Sequence, residues 1–327
     1  MSQPTARKSS EAMSNWMFRV KETFYRVAAA GTLPARMFEP RMPREPLVAR
    51  TGRLHVEIVS HCWRYSHLLR FQLSSILLYP PQHTQLTLTI ISSPEDQETG
   101  ELLSFYASKP VRNVTWNFVS VDKSQLFRRA IGRNLRAKST QADWIFFSDC
   151  DQMFYHDAID QLGTALQGRQ EPLLFPRIVK RSLRVHSVDE VLRTDVPSSS
   201  RWIVEADAKY FDPSVHDKAV GGTQIVHGDV ARQIGYCEAI PFYQQPVTTW
   251  RKTYEDRVFR WLLGTHGMAI DVPHIYRIEH HQKGRYENRI GPKWLLPFLS
   301  NAGRSDLIAK LSRRQPAPAE ESTRRAA

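Results

Sequence analysis

The chain has 327 residues, of which 41% are hydrophobic and 24% charged, and its formal net charge is +12 at pH 7. That length suits one large α/β domain or two smaller ones, and the composition implies a packed core with polar tails. The charge favours anionic partners (nucleotides, phospholipid surfaces, acidic glycans or nucleic acid) without choosing among them. Cys62, Cys150 and Cys237 are widely spaced. They form no disulfide framework, and a reducing, cytoplasmic setting follows. No stretch approaches the roughly 20 apolar residues of a membrane span. The first ten residues lack the apolar core of a secretory signal.

Residues 1–12 are polar and expected to be disordered. Over residues 13–30, Trp16, Met17, Val20, Phe24 and Val27 recur at helical spacing among Arg19, Lys21 and Arg26. Such a helix can lie on an anionic membrane surface or pack on the main domain, and aromatic stripes favour packing. Pro34, Pro40, Pro43 and Pro46 make residues 31–50 an extended linker. The polar tail, helix and linker together fill residues 1–52, and a globular domain spans 53–303, in two halves, 53–152 and 153–303. Residues 304–327, rich in Arg, Pro, Ala and Glu, read as a disordered basic tail.

Within the domain, strands are expected at 54–59, 86–91, 114–121 and 144–148. Helices are expected at 68–78, 98–107 and 127–138. This alternation implies a parallel sheet with helices on both faces and the loops after 59, 91 and 147 on one edge. Past Asp151 the alternation weakens. A helix is expected at 159–166, short strands at 172–176 and 201–204, and a glycine pair, Gly221-Gly222, entering a strand that ends near Val226. Further helices are expected at 229–235 and 257–263.

The run Trp144-Ile-Phe-Phe-Ser ends in Asp149-Cys-Asp151. Two carboxylates at the carboxyl edge of a sheet repel unless a cation lies between them. A hard divalent ion with oxygen ligands, Mn²⁺ or Mg²⁺, is the natural occupant. An Asp-rich turn without a ligand is the plain alternative.

Four pieces occur in order: Gly132-Arg133-Asn134 feeding the Asp149-Cys-Asp151 strand, Gly221-Gly222-Thr223 with Ile234-Gly235-Tyr236 downstream, Glu255-Asp256 opening a helix that ends at Gly264, and His280-His281 after a Tyr-Arg-Ile strand. Together they resemble a nucleotide-sugar glycosyltransferase of the GT-A fold, in the manner of glycosyltransferase family 2. The resemblance implies an α/β GT-A (Rossmann-like) fold, a mostly parallel sheet sandwiched by helices with an acceptor-side subregion. It also implies a nucleotide diphosphate sugar donor, a glycan or lipid-linked acceptor, inversion, and no nucleic-acid partner. Asp256 would be the base and Glu255 its neighbour. Ser60, Asp96, Arg133, Asp149, Gly221 and Gly222 would hold the nucleotide sugar. Asp149, Asp151 and His280 or His281 would hold Mn²⁺ or Mg²⁺. The turn Ser92-Ser-Pro-Glu-Asp96 departs from the family's Asp-Asp-Gly-Ser, so Asp96 stands in for the usual nucleoside contact. A sugar nucleotidyltransferase and a non-enzymatic basic membrane or nucleic-acid binder are the alternatives. The remaining arginines are expected on a solvated basic face.

Overall fold

A computed structural model of the protein describes residues 4–38, 42, 46–183, 193–194, 201–250 and 253–280. A long helix, α1 (Pro4–Val27), leads into β1 (His55–His61), α2 (Ser66–Leu78), β2 (Gln85–Ser92), α3 (Gln97–Ala107), β3 (Val114–Ser120), the single turn α4 (Lys123–Leu126), α5 (Arg129–Ser139) and β4 (Trp144–Ser148). Strands β1, β2, β3 and β4 pair in parallel, in the order β4-β1-β2-β3. Near-continuous burial along β1 and β4 is what a sheet covered on both faces shows.

The second half follows as β5 (Gln152–Phe154), α6 (Ala158–Ala165), β6 (Leu173–Pro176), β7 (Ile178–Ser182), β8 (Arg193–Thr194), β9 (Glu205–Ala206), β10 (Phe211–Val215), β11 (Thr223–His227), α7 (Gly228–Ile234), α8 (Glu255–Leu262), β12 (Met268–Ile270) and β13 (Ile275–Arg277). Three of these strands extend the main sheet to seven, in the order β12-β6-β11-β4-β1-β2-β3. Strand β11 runs antiparallel to both β4 and β6, so the sheet is mixed but mostly parallel. A smaller sheet, β10-β7-β13-β5, grows from the residues that follow Asp151.

Carboxyl ends of β1, β2 and β4 share one edge, as the alternation predicts. The pairing Thr223 opposite Ser148 fixes what stands beside Asp149. One step further along an antiparallel pair, Gly222 faces Asp149. In the smaller sheet Arg277 pairs with Gln152, which brings the end of β13 back to the same edge.

Some segments depart from the sequence reading. Helix α1 begins at Pro4, inside the stretch expected to be disordered. The described part of the linker is tied to the body. Gln170 donates to the Leu47 carbonyl, the His227 ring meets the Val48 carbonyl, and Arg50 pairs with Asp229 at 3.2 Å. Residues 201–204 form no strand. Their backbone is held by side chains instead: Tyr106 and Ser74 donate to the Trp202 carbonyl, and the Val204 amide donates to Ser74. The basic tail at 304–327 lies outside the described residues.

Helix α5 packs unusually close to the sheet at Gly132, where an added Cβ would meet the His61 ring and come within 2.8 Å of Ile91 Cδ1. Gly100 on α3 faces open space. Gly132→Ala should therefore cost about 1–3 kcal/mol through overpacking. Gly100→Ala should stabilise by about 0.5–1 kcal/mol through helix propensity. Urea unfolding of the two variants beside the native chain measures both signs.

Candidate active site

Arg129, Arg133 and Arg136 recur at i, i+4 and i+7, so they share one face of α5. That face turns into the protein rather than to solvent. Arg136 pairs with Glu57 at 2.8 Å, and Glu57 also accepts from Thr89 at 2.6 Å. Arg133 is 0% exposed. It donates to the Tyr236 hydroxyl at 2.7 Å and to the Gly221 carbonyl at 2.5 Å, with its guanidinium over the Phe147 and Tyr236 rings. Arg129 reaches furthest, to Glu255 at 2.9 Å and to Asp149 at 3.2 Å.

Asp149 is held from a second side. Arg277 Nη2 lies 3.1 Å from Asp149 and 3.3 Å from Asp151. A guanidinium thus sits between the two strand-end carboxylates. His280 Nε2 lies 3.6 Å from Asp151 Oδ2, and its ring meets Tyr65 edge to face. The second oxygen, Asp151 Oδ1, is buried and has no hydrogen-bond partner among the described residues. Burial opposes the charges on Arg129 and Arg277, but the facing carboxylates outweigh it and push both pKa values up.

Gly221 and Gly222 form the floor between two acids. A Cβ on Gly222 would stand 2.7 Å from Asp149 Oδ2, and one on Gly221 would stand 3.6 Å from the Asp256 Cβ. Glycine at 222 is what lets the Asp149 carboxylate lie against the backbone. Asp149 and Asp256 therefore each lie against one residue of the same glycine pair.

Helix α8 separates its two acids by direction. Tyr254, just before it, has a left-handed backbone with φ 55°, a conformation held at a cost of about 1–3 kcal/mol. Glu255 turns inward, where Thr253 donates to it at 2.8 Å and Arg129 pairs with it. Burial raises the Glu255 pKa, but Arg129 and Arg133 overcome it and hold the carboxyl at about 2. Asp256 turns outward, with Arg260 at 3.8 Å. It lines a cavity of about 490 Å³ together with Tyr254, Arg257, Trp261, His266 and the Ala29–Gly31 turn.

The remaining expected residues are placed as follows. Asp96 caps α3: its carboxylate accepts from the Thr99 amide and hydroxyl and from the Arg64 amide at 2.5 Å. It also borders a cleft of about 620 Å³ at the end of β2, with Ser92, Ser93, Gly100 and Ser120. Ser60 is fully buried, and its hydroxyl has no partner among the described residues. Arg133 has no exposed surface with which to meet a phosphate. Arg129, one turn earlier, is the arginine beside Asp149. His281 lies outside the described residues. Among the described residues no three His, Cys, Asp or Glu side chains form a metal-ligand set. Asp149, Asp151 and His280 approach one another, but Arg277 stands in the gap expected for the ion.

Three contributors escaped the sequence reading: Arg129, Arg277 and His61. The His61 ring nitrogens are buried without partners among the described residues. Burial, with Arg133 and Arg129 nearby, pushes its pKa well below the ordinary range. It is a neutral imidazole beside a charged edge.

No protein-family model matches the sequence, and no curated protein matches it. Among solved structures, the chain is similar to the TarS 1-349 fragment from S. aureus in complex with UDP-GlcNAc, at 10% identity and a TM-score of 0.46, over 75% of this chain and 64% of that one. It is also similar to the mannosyltransferase PcManGT from Pyrobaculum calidifontis in complex with GDP-Man and Mn²⁺, at 13% identity and a TM-score of 0.42, over 92% of this chain and 76% of that one. The chain spans 58% of the TarS 1-349 fragment solved without ligand. Likeness at this level assigns neither family nor activity.

Two substitutions test the geometry. Gly222→Ala should displace the Asp149 carboxylate and lower stability by about 1–3 kcal/mol. Glu255→Gln should cost about 3 kcal/mol at pH 7, because it breaks a buried ion pair. The Glu255 carboxyl is depressed in the folded chain, from the ordinary 4.5 to about 2. Its contribution is therefore present above the unfolded pKa and lost as pH falls from about 4.5 towards 2. Urea midpoints of the native chain and Glu255→Gln should converge through that window.

Proposed function

We propose that the protein is an inverting glycosyltransferase that moves a sugar from a nucleotide diphosphate sugar to a glycan or lipid-linked acceptor. The observation that carries this reading is that Asp149 lies against Gly222 and Asp256 against Gly221, at the carboxyl edge where open α/β sheets hold ligands.

The two acids suit different halves of a transfer. At Asp149 the surroundings are cationic: Arg129 and Arg277 both lie within 3.2 Å of it. A diphosphate brought to this edge meets guanidiniums whose geometry matches its oxygens. The cleft beside Asp96 is open to the nucleoside, with the Ser92, Ser93 and Ser120 positions available for polar contact. Asp96 itself would act by holding that wall, since its oxygens already accept from α3 and Arg64.

Asp256 is the residue we assign as base. It lies against the glycine backbone on one side and the cavity beside α8 on the other. In a single displacement the acceptor oxygen bonds to the anomeric carbon while the carbon–oxygen bond to the diphosphate breaks. The hydroxyl proton passes to Asp256 and the electron pair leaves on the diphosphate. Tyr254 and Trp261 line that cavity, where an acceptor sugar ring would meet aromatic side chains. Glu255 acts at one remove, by fixing Arg129.

The donor set partly fits a divalent ion. Asp151 Oδ1 is buried and lacks a partner among the described residues, and His280 stands next to the other oxygen. Asp151, Asp149 and His280 would hold Mn²⁺ or Mg²⁺ once Arg277 released its two contacts. The ion would supply charge neutralisation at the departing diphosphate.

A thermal-shift panel of UDP, GDP, CDP, dTDP and ADP, each with and without Mn²⁺, tests the donor half. One nucleotide should raise the melting temperature with the metal present, and Asp151→Asn should abolish the metal-dependent part. Asp256→Asn should leave that shift intact and lower turnover by about 10²–10⁴-fold. Arg277→Met removes the competing guanidinium and should tighten Mn²⁺ binding by about tenfold, read by electron paramagnetic resonance of the free ion. Unchanged Mn²⁺ binding in Arg277→Met would leave the guanidinium as the resident cation and end the metal part of the proposal.

A further inference from the structure

Helix α1 carries two apolar faces, and the fold buries one of them; on the other, Phe24 meets the Phe38 ring edge to face at 6.4 Å. Phe18 and Tyr25 lie about 20° apart on the helix. Both dock on the body: Phe18 has its ring centroid 5.1 Å from Phe242, and Tyr25 sits 5.8 Å from Phe242 and from Tyr243. Trp16, Met17, Val20, Phe24 and Val27 occupy a separate arc about 100° wide. Each of these five is 46–63% exposed. Lys21 borders one edge of that arc and Arg19 the other, and both are exposed.

We propose that this outward arc seats α1 on the surface of an anionic lipid bilayer. An arc of this width, carrying a tryptophan and a phenylalanine and flanked by basic residues on both borders, is the form of an interfacial helix. Lys21 and Arg19 can lay their stems along the apolar arc and place their charges among lipid phosphates. The net charge of +12 adds long-range attraction to the same surface. No described helix is long and apolar enough to cross a membrane, so α1 would lie on the surface. A second copy of the chain fits less well. Self-pairing across the arc would bring two sets of basic borders together, and paired helices use a narrower seam with complementary flanking charges. This docking does not depend on the transferase reading.

Co-sedimentation of the full chain with vesicles tests it. One set is phosphatidylcholine alone, and the other contains about one-third phosphatidylglycerol. The native chain should pellet with the anionic vesicles at low salt, and less so as salt rises. Trp16→Ser/Phe24→Ser should weaken that partition by about tenfold or more. Arg19→Glu/Lys21→Glu should remove most of the salt-dependent part. All four side chains are exposed, and far-ultraviolet circular dichroism should show both double variants as helical as the native chain. A native chain that stays in the supernatant with both vesicle sets would overturn the proposal. So would Trp16→Ser/Phe24→Ser binding as tightly as the native chain. Sedimentation velocity showing a dimer that this variant dissolves would assign the arc to a second copy instead.

Discussion

The acidic edge depends on the arginine stripe of α5. A buried guanidinium is tolerated only when paired and hydrogen-bonded, and removal of one partner strands the other. Arg136, Arg133 and Arg129 meet that condition in three ways along one helix: a carboxylate on β1, a backbone carbonyl with a phenol, and two carboxylates from β4 and α8. The helix acts as a crossbar. It ties the first strand to the glycine pair and to the helix that bears Asp256. The acids that face the glycines are therefore set before any ligand arrives, which is what electrostatic preorganisation requires.

Legibility in the sequence differed by layer. The parallel core could be read because four strand-like segments, ending in the apolar run of β4, alternate with helices. Of the smaller sheet only β13, the Tyr-Arg-Ile strand, could be read. The strands of that sheet are only 3 to 5 residues long. At that length alternation carries no signal, and β10 even contains Pro213. Acids of the site were visible because they follow an apolar run or open a helix. Their counter-ions were not, because arginine reads as a surface residue by default. The spacing of Arg129, Arg133 and Arg136 was the available clue, since three bases on one helical face must all point the same way. Asp96 was similarly readable as a cap: it precedes Thr99 by three residues at the start of α3. The role of Gly222 appears only once the antiparallel register with β4 is known.

The N-terminal segment belongs to the site as well as to the surface. The stripe of Trp16, Met17, Val20, Phe24 and Val27, which the sequence favoured for packing, faces outward instead, and Phe18 and Tyr25, outside that stripe, dock on the body. Beyond α1 the chain turns through Ala29–Gly31 and forms one wall of the cavity at Asp256. Trp261 donates to the Leu33 carbonyl at 2.9 Å and pins that turn to α8. Whatever holds α1 is therefore mechanically joined to the wall of the cavity assigned to the acceptor.

Crystals of the chain soaked with each of the five nucleoside diphosphates, with Mn²⁺, measure the central assignment most directly. The account places diphosphate density at the end of β4, in reach of Arg129 and Arg277 and against the Gly221-Gly222 backbone. Density for the nucleotide elsewhere on the protein, with Asp149 and Asp151 untouched, would contradict it.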